Sequence, residues 1–349
     1  MNTKNRLKAF YAIIAIFLTG SVYAQNESKP ILNTLRFESR FDYDCQSYED
    51  TTLNTLGGFS GKYINIAMAG NITDKFSYNF RQRILPNTGM KSIFDGTDWI
   101  YLTYEFNKNY SISGGKQVFQ IGGFEYDAPP IDVYYWSDFW NNITCYQFGV
   151  TATYTDNSGN HNISLQFANS NYTSSPLENL YAYNLMWYGS HGWYNSIWSI
   201  NAQEFAPGKF IYYVALGNEF LFGDVGKLQL DFMNRTTDGE WLDFNSFSLM
   251  GELSFNIGRK FTAFGKATYD VNNSNNFYDW CVMPGTDITR LGAGVEFYPL
   301  PKGDRSVRLH AAYAHTLGDN GNYLNGVLCD NQSFFTVGLT WKIDIISLT

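Results

Sequence analysis

The feature that most limits this chain is a period of two residues, repeated along its length. In the segment 35–44 one face carries Leu35, Phe37, Ser39, Phe41 and Tyr43. The other carries Arg36, Glu38, Arg40, Asp42 and Asp44. Side chains alternate across a strand, whereas a helix would scatter both sets around its axis. The same alternation recurs in Phe76, Tyr78, Phe80 against Ser77, Asn79, Arg81, Arg83, and in Phe335, Val337, Leu339, Trp341 against Thr336, Gly338, Thr340, Lys342. It predicts sixteen strand cores, at 34–45, 58–70, 75–85, 97–106, 110–118, 143–155, 161–169, 180–190, 193–203, 209–222, 226–235, 243–257, 260–272, 287–298, 305–316 and 332–343.

Connection lengths also alternate. Strands 2–3, 4–5, 6–7, 8–9, 10–11, 12–13 and 14–15 are joined by short turns. Longer connections lie at 46–57, 86–96, 119–142, 273–286 and 317–331. Short turns on one rim and long loops on the other describe an outer-membrane barrel. The expected fold is therefore all-β, a 16-stranded antiparallel transmembrane β-barrel, with both termini on the short-turn side. A secreted β-sandwich would also alternate, but its polar face would meet bulk water. Here only 16% of residues are charged and 18% are aromatic, and the apolar face continues through all sixteen segments. Tyr43, Phe59, Trp99, Tyr110, Tyr154, Trp193, Tyr298 and Trp341 stand near strand ends, where interfacial girdles form. The formal charge of −8 speaks against nucleic acid as a partner.

Residues 1–24 read as an export signal. Lys4, Arg6 and Lys8 precede an apolar run at 9–18, and Val22-Tyr23-Ala24 supplies a cleavage site. The apolar run is half of the ~20 residues that a spanning helix needs. Cleavage after Ala24 leaves 25–349 as a single barrel domain in the outer membrane.

If apolar residues face lipid, the alternating polar set lines a water-filled lumen. Basic inward candidates form an arc across the seam between the first and last strands: Arg36, Arg40, Lys62, Arg81, Arg83, Arg290, Arg308, His310 and Lys342. Such a stripe guides anions. Inward acids such as Glu38, Asp42, Asp44, Glu105 and Glu296 are available to pair with it. The connection 119–142 is too long and too aromatic for a solvated loop. Phe124, Tyr126, Tyr134, Tyr135, Trp136, Phe139 and Trp140 predict inward folding onto the wall as a constriction. Glu125, Asp127, Asp132 and Asp138 would then face the basic arc.

The stretch Gly115-Lys116-Gln117-Val118-Phe119, followed by Gly122-Gly123-Phe124-Glu125-Tyr126-Asp127, resembles the fifth strand and third loop of the phosphate-selective porin O/P family, in its Bacteroidetes form. The resemblance implies a sixteen-stranded, trimeric diffusion pore. Two departures stand beside it: phosphate-specific members carry basic residues on the constriction loop, and this loop is acidic; many porins end on an aromatic residue, and here the last aromatic is Trp341.

Four cysteines remain after cleavage: Cys45, Cys145, Cys281 and Cys329. Four allow three pairings, of which Cys281 with Cys329 is favoured and Cys45 with Cys329 follows. No spacing suits zinc, no cofactor is implied, and no Gly-x-Ser-x-Gly, His-Glu-x-x-His or phosphate-loop motif is present. Three readings follow, none of them an enzyme. The first is a passive, anion-leaning pore for small hydrophilic solutes, a homotrimer in outer-membrane lipid. The second is a substrate-specific, phosphate-type anion channel. The third is a non-conducting surface adhesin or assembly barrel.

Overall fold

The computed structural model describes residues 31–48, 55–84, 92–173, 178–237, 242–274, 276–321 and 330–348. The proposed signal segment and Cys329 lie outside them. Sixteen strands follow in order: β1 (Thr34–Tyr48), β2 (Thr55–Asn71), β3 (Phe76–Arg83), β4 (Thr97–Glu105), β5 (Tyr110–Val118), β6 (Tyr146–Thr155), β7 (His161–Asn169) and β8 (Tyr181–Ser190). The second half continues with β9 (Tyr194–Ala206), β10 (Lys209–Leu221), β11 (Gly226–Thr237), β12 (Ser246–Ile257), β13 (Phe261–Asn272), β14 (Thr286–Phe297), β15 (Val307–Asp319) and β16 (Gln332–Ser347). Each strand pairs antiparallel with its chain neighbours, and β1 closes on β16 from Thr34↔Ser347 to Tyr48↔Gln332. Closure leaves no strand edge, which is what a sheet surrounded by hydrocarbon requires. Several strands outrun their predicted cores. β1 and β2 extend to Tyr48 and Thr55, and β16 runs on to Ser347.

The outward face is the apolar one. Phe41, Leu102, Leu165, Phe167, Leu230, Leu309 and Val337 are exposed along it. The short turns lie at the opposite rim from the long connections. Between β8 and β9 only His191, Gly192 and Trp193 intervene, and Gly192 has φ of 79°, a conformation that favours glycine. Two of the aromatics expected in the girdle face inward instead. Trp99 lies under the Arg81 guanidinium at 4.6 Å and donates to Asn79, and Tyr298 is buried beside Glu296.

The lumen is not uniformly polar. On β10 the inward residues Ile211, Tyr213 and Ala215 are fully buried, while Tyr212, Val214 and Leu216 alternate with them. Tyr213 joins Met233, Ala168 and Ala182 in a core cluster with Phe119, Ile121, Tyr126, Phe139 and Trp140 of the β5–β6 connection. Cys281 and Val282, between β13 and β14, complete it. The expectation that polar residues line the whole interior therefore fails on this side. The reason is that protein, not water, covers that stretch of wall.

Candidate functional site

The β5–β6 connection is the centre of the lumen. It carries two short helices, α1 (Phe124–Asp127) and α2 (Asp138–Asn142), with a 3₁₀ turn at Pro130–Asp132 between them. Its path begins where Gly122 and Gly123 cross β9 and β10. A Cβ at Gly122 would stand 2.6 Å from the Ile197 carbonyl oxygen, and one at Gly217 would stand 2.7 Å from Gly123 Cα. Only glycine lets the loop lie this close to the wall. The Gly122 amide donates to Ser199 Oγ at 2.8 Å, and Asn201 Nδ2 donates to the Gln120 carbonyl at 2.6 Å. Asn184 and Gln166 extend this amide ladder along the wall.

Two wall aspartates hold the starts of the two helices. Asp231 on β11 accepts from the Glu125 amide at 2.8 Å, and Asp270 on β13 accepts from the Asp138 amide at 2.8 Å. The first amides of a helix have no internal partner, and a carboxylate there meets both the free N–H groups and the helix dipole. Glu125 in turn pairs with Lys266 Nζ at 2.7 Å and accepts from Ser137 Oγ at 2.6 Å. Asp231, Asp270 and Lys266 were not among the predicted site residues. Their charges at inward positions of β11 and β13 were the available signal.

The middle of the loop meets the basic arc. Asp132 is gripped by Arg308 at 2.8 Å and Lys342 at 2.7 Å. Burial alone would raise its carboxyl, but the Arg308 and Lys342 charges outweigh that and hold it below the ordinary range. Arg40 donates to the carbonyls of Ile131 and Val133 and lies 4.7 Å from the Tyr134 ring centre. Tyr134 stacks on His310 at 4.2 Å and donates to Glu296 at 2.6 Å. Arg290 donates to the Trp136 carbonyl at 3.2 Å. At the far end, Asp138 is buried. Burial and then the neighbouring Asp270 carboxylate push its pKa up to about 7.

Most of the nine basic positions have an acidic partner. Arg36 pairs with Asp344, Arg40 and His310 with Asp42, Lys62 with Asp44, and Arg81 and Arg83 with Asp98. Arg308 also reaches Glu296 at 3.3 Å. Arg290 alone of the nine has no carboxylate within ion-pair distance among the described residues. An unbroken cationic stripe is therefore replaced by pairs, several of which fasten the loop. Asp127 meets none of these bases and faces the space beside Glu219.

Two chambers remain on either side of Tyr134 and Tyr135, which line both. The inner one, about 680 Å³, opens toward the short turns. Glu125, Asp127, Asp132, Glu219, Glu252 and Glu296 line it, with Lys227, Lys266, Arg305 and Arg308. The outer one, about 350 Å³, reaches Gln46 and Gln332 at the long-loop ends of β1 and β16. Its charged lining is Arg40, Lys62, Arg83 and Arg290, without a carboxylate.

Cys45, Cys145 and Cys281 are free thiols, and Cys281 lies against the Tyr213 hydroxyl at 3.6 Å. Cys329, its expected partner, is outside the described residues. Among the described residues no group of three or more His, Cys, Asp or Glu is arranged to hold a metal ion.

The family model for phosphate-selective porins O and P matches residues 34–193. Nothing among curated proteins matches the sequence. Solved structures show the same barrel. The outer membrane channel DcaP of Acinetobacter baumannii superposes with a TM-score of 0.66 at 12% identity, over 89% of this chain and 97% of that one. An anion-selective porin from Comamonas acidovorans gives 0.63 at 12%, over 89% and 99%. The trimer form of OmpT from Vibrio cholerae gives 0.59 at 13%, over 89% and 99%.

Proposed function

We propose that this chain is an outer-membrane porin, a passive and anion-leaning pore for small hydrophilic solutes. The observation that carries the reading is the outer chamber. Among the described residues, the charged lining of this chamber is four cations and no carboxylate, ahead of Tyr134 and Tyr135 on the long-loop side. A one-sign mouth with low-dielectric walls raises the local concentration of counter-ions. The match to a phosphate-selective family model and the likeness to an anion-selective porin support the same sign. The six acids of the inner chamber moderate it. Arg36, which pairs with Asp344 and is substantially exposed, contributes least.

The finer statements are part of the proposal. Residues 1–24 direct export and are removed after Ala24. The working unit is a homotrimer, by analogy with the OmpT trimer form. The Bacteroidetes form rests on the run from Gly115 to Asp127 alone. A phosphate-specific channel is the second reading, favoured by the family match.

Planar-bilayer conductance of the folded mature protein in a salt gradient tests the pore. Three equal steps with an anion-favouring reversal potential are expected. Cation preference would give control to the carboxylates of the inner chamber. A sealed trace from protein that still shows heat-modifiable migration would favour an adhesin or assembly barrel. Saturation of the current by inorganic phosphate would favour the second reading.

A further inference from the structure

Three properties set the outer chamber apart from a plain water-filled mouth. Its surroundings carry excess positive charge: among the described residues Arg40, Lys62, Arg81, Arg83 and Arg290 stand against three ion-paired carboxylates, Asp42, Asp44 and Asp98. One of these guanidiniums is unbalanced. Arg290 is 6% exposed, has no carboxylate partner among the described residues, and its Nε has no hydrogen-bond partner. The rest of the wall is largely aromatic, from Tyr63, Tyr135, Trp136 and Phe334. The Arg290 guanidinium carbon stands 5.4 Å from the Tyr135 ring centre and 5.6 Å from that of Phe334.

A buried cation without a counter-charge is costly, and a planar guanidinium matches a carboxylate through two parallel hydrogen bonds. The rings beside it, half-buried at Trp136 and Tyr63 and more deeply buried at Phe334, gain by covering the apolar surface they leave open. An inorganic anion answers the first need and leaves the rings wet. A neutral arene answers the second and leaves Arg290 uncompensated. We propose that the outer chamber is a binding site for a small arene carboxylate, with its carboxylate on Arg290 and its ring against Trp136 and Phe334. A volume of about 350 Å³ falls at the small end of the range for such ligand sites. The inference deepens the pore reading and rests on it for the ligand's route.

The test is calorimetric titration of the detergent-folded barrel with benzoate, acetate and inorganic phosphate in turn. Benzoate is expected to bind at least tenfold more tightly than either. Arg290→Gln should weaken benzoate tenfold or more, and Arg290→Lys should recover part of the loss. Phe334→Leu should lower the benzoate-to-acetate ratio while leaving acetate unchanged. Equal affinity for benzoate and acetate would overturn the proposal, as would tighter phosphate binding. The comparison of ligands on the unaltered protein decides the matter even if a variant does not fold. Calorimetry needs no current, so the two ideas fail separately. A sealed bilayer trace with benzoate binding intact removes the pore alone. A conducting barrel without benzoate preference removes this site alone.

Discussion

The two halves of the lumen hold the loop in different ways. On the β6–β11 side an apolar patch of the wall, beside an amide ladder, meets apolar side chains of the loop: Tyr213, Ile211 and Met233 pack with Phe119, Ile121, Phe139 and Trp140. On the side formed by β12–β16 and β1–β4 the wall is rich in charge, and it meets the loop through Asp132, Glu125 and backbone carbonyls, with Tyr134 and Tyr135 packed on Ala312, Ala314 and Phe334. Burying each large apolar side chain on the first side contributes about 2 kcal/mol. Buried ion pairs on the second roughly offset their own desolvation and add little net stability. The first half therefore holds the loop in place, and the second half is left to give the lumen its charge. A structure built for stability alone would extend the first arrangement all the way round.

The largest expected effect comes from detaching the loop where both halves depend on it. Gly122→Val forces a side chain into the Ile197 carbonyl. Single-channel conductance should at least double and selectivity should weaken, with the barrel still heat-modifiable. An unchanged conductance would mean that the loop does not limit flow.

Next comes the apolar half by itself. Phe139→Ala leaves a cavity beside Tyr213, whose ring lies 5.7 Å away. It should cost roughly 3 kcal/mol of loop docking. Amide hydrogen exchange at α2 should accelerate while exchange at 131–133 changes less. Equal acceleration at both would show that the halves are one cooperative unit.

The charged half is probed by Arg308→Gln combined with Lys342→Gln, which leaves Asp132 without its cations. Here the loss should be on the order of 2 kcal/mol, read as faster exchange at 131–133, because partial exposure lets water replace some of the pairing. Arg81→Glu with Arg83→Glu, which sets two more carboxylates beside Asp98, should shift reversal potential toward cations. No shift would take these side chains out of the permeation path.

The smallest effect is the pH response of the join between the halves. Asp138 titrates near 7 in the docked loop and near 3.8 when free. Docking is therefore fully favoured below pH ~4 and weakens as pH rises through 7, where the buried carboxyl must ionise. Open-channel noise should increase severalfold from pH 5 to 8, and Asp138→Asn should flatten that dependence.

The difference between the halves also explains what could be read from residues alone. Every outward residue meets the same solvent, so Phe41, Leu102 and Leu309 alternate cleanly and all sixteen strands are legible. Inward residues meet whatever lies inside. On β10 that is another part of the chain, and Ile211 to Leu216 is apolar on both faces. The density of rings in 119–142 was visible, as were the bases across the seam. Their matching was not, because Arg308 lies 176 residues from Asp132 and Lys342 lies 210. Asp231 and Asp270 looked like ordinary lumen acids until the helix starts they hold were in view.

The contacts of Ile131, Asp132 and Val133 have a consequence for how the molecule is made. Arg40 belongs to β1, Lys342 to β16 and Arg308 to β15, so this short turn of chain touches three consecutive staves on both sides of the final join. The turn therefore clasps the join from within. Closure of the cylinder and seating of its internal strap support each other through the same contacts. A chain weakened at the strap should still seal, and should come apart first at that join.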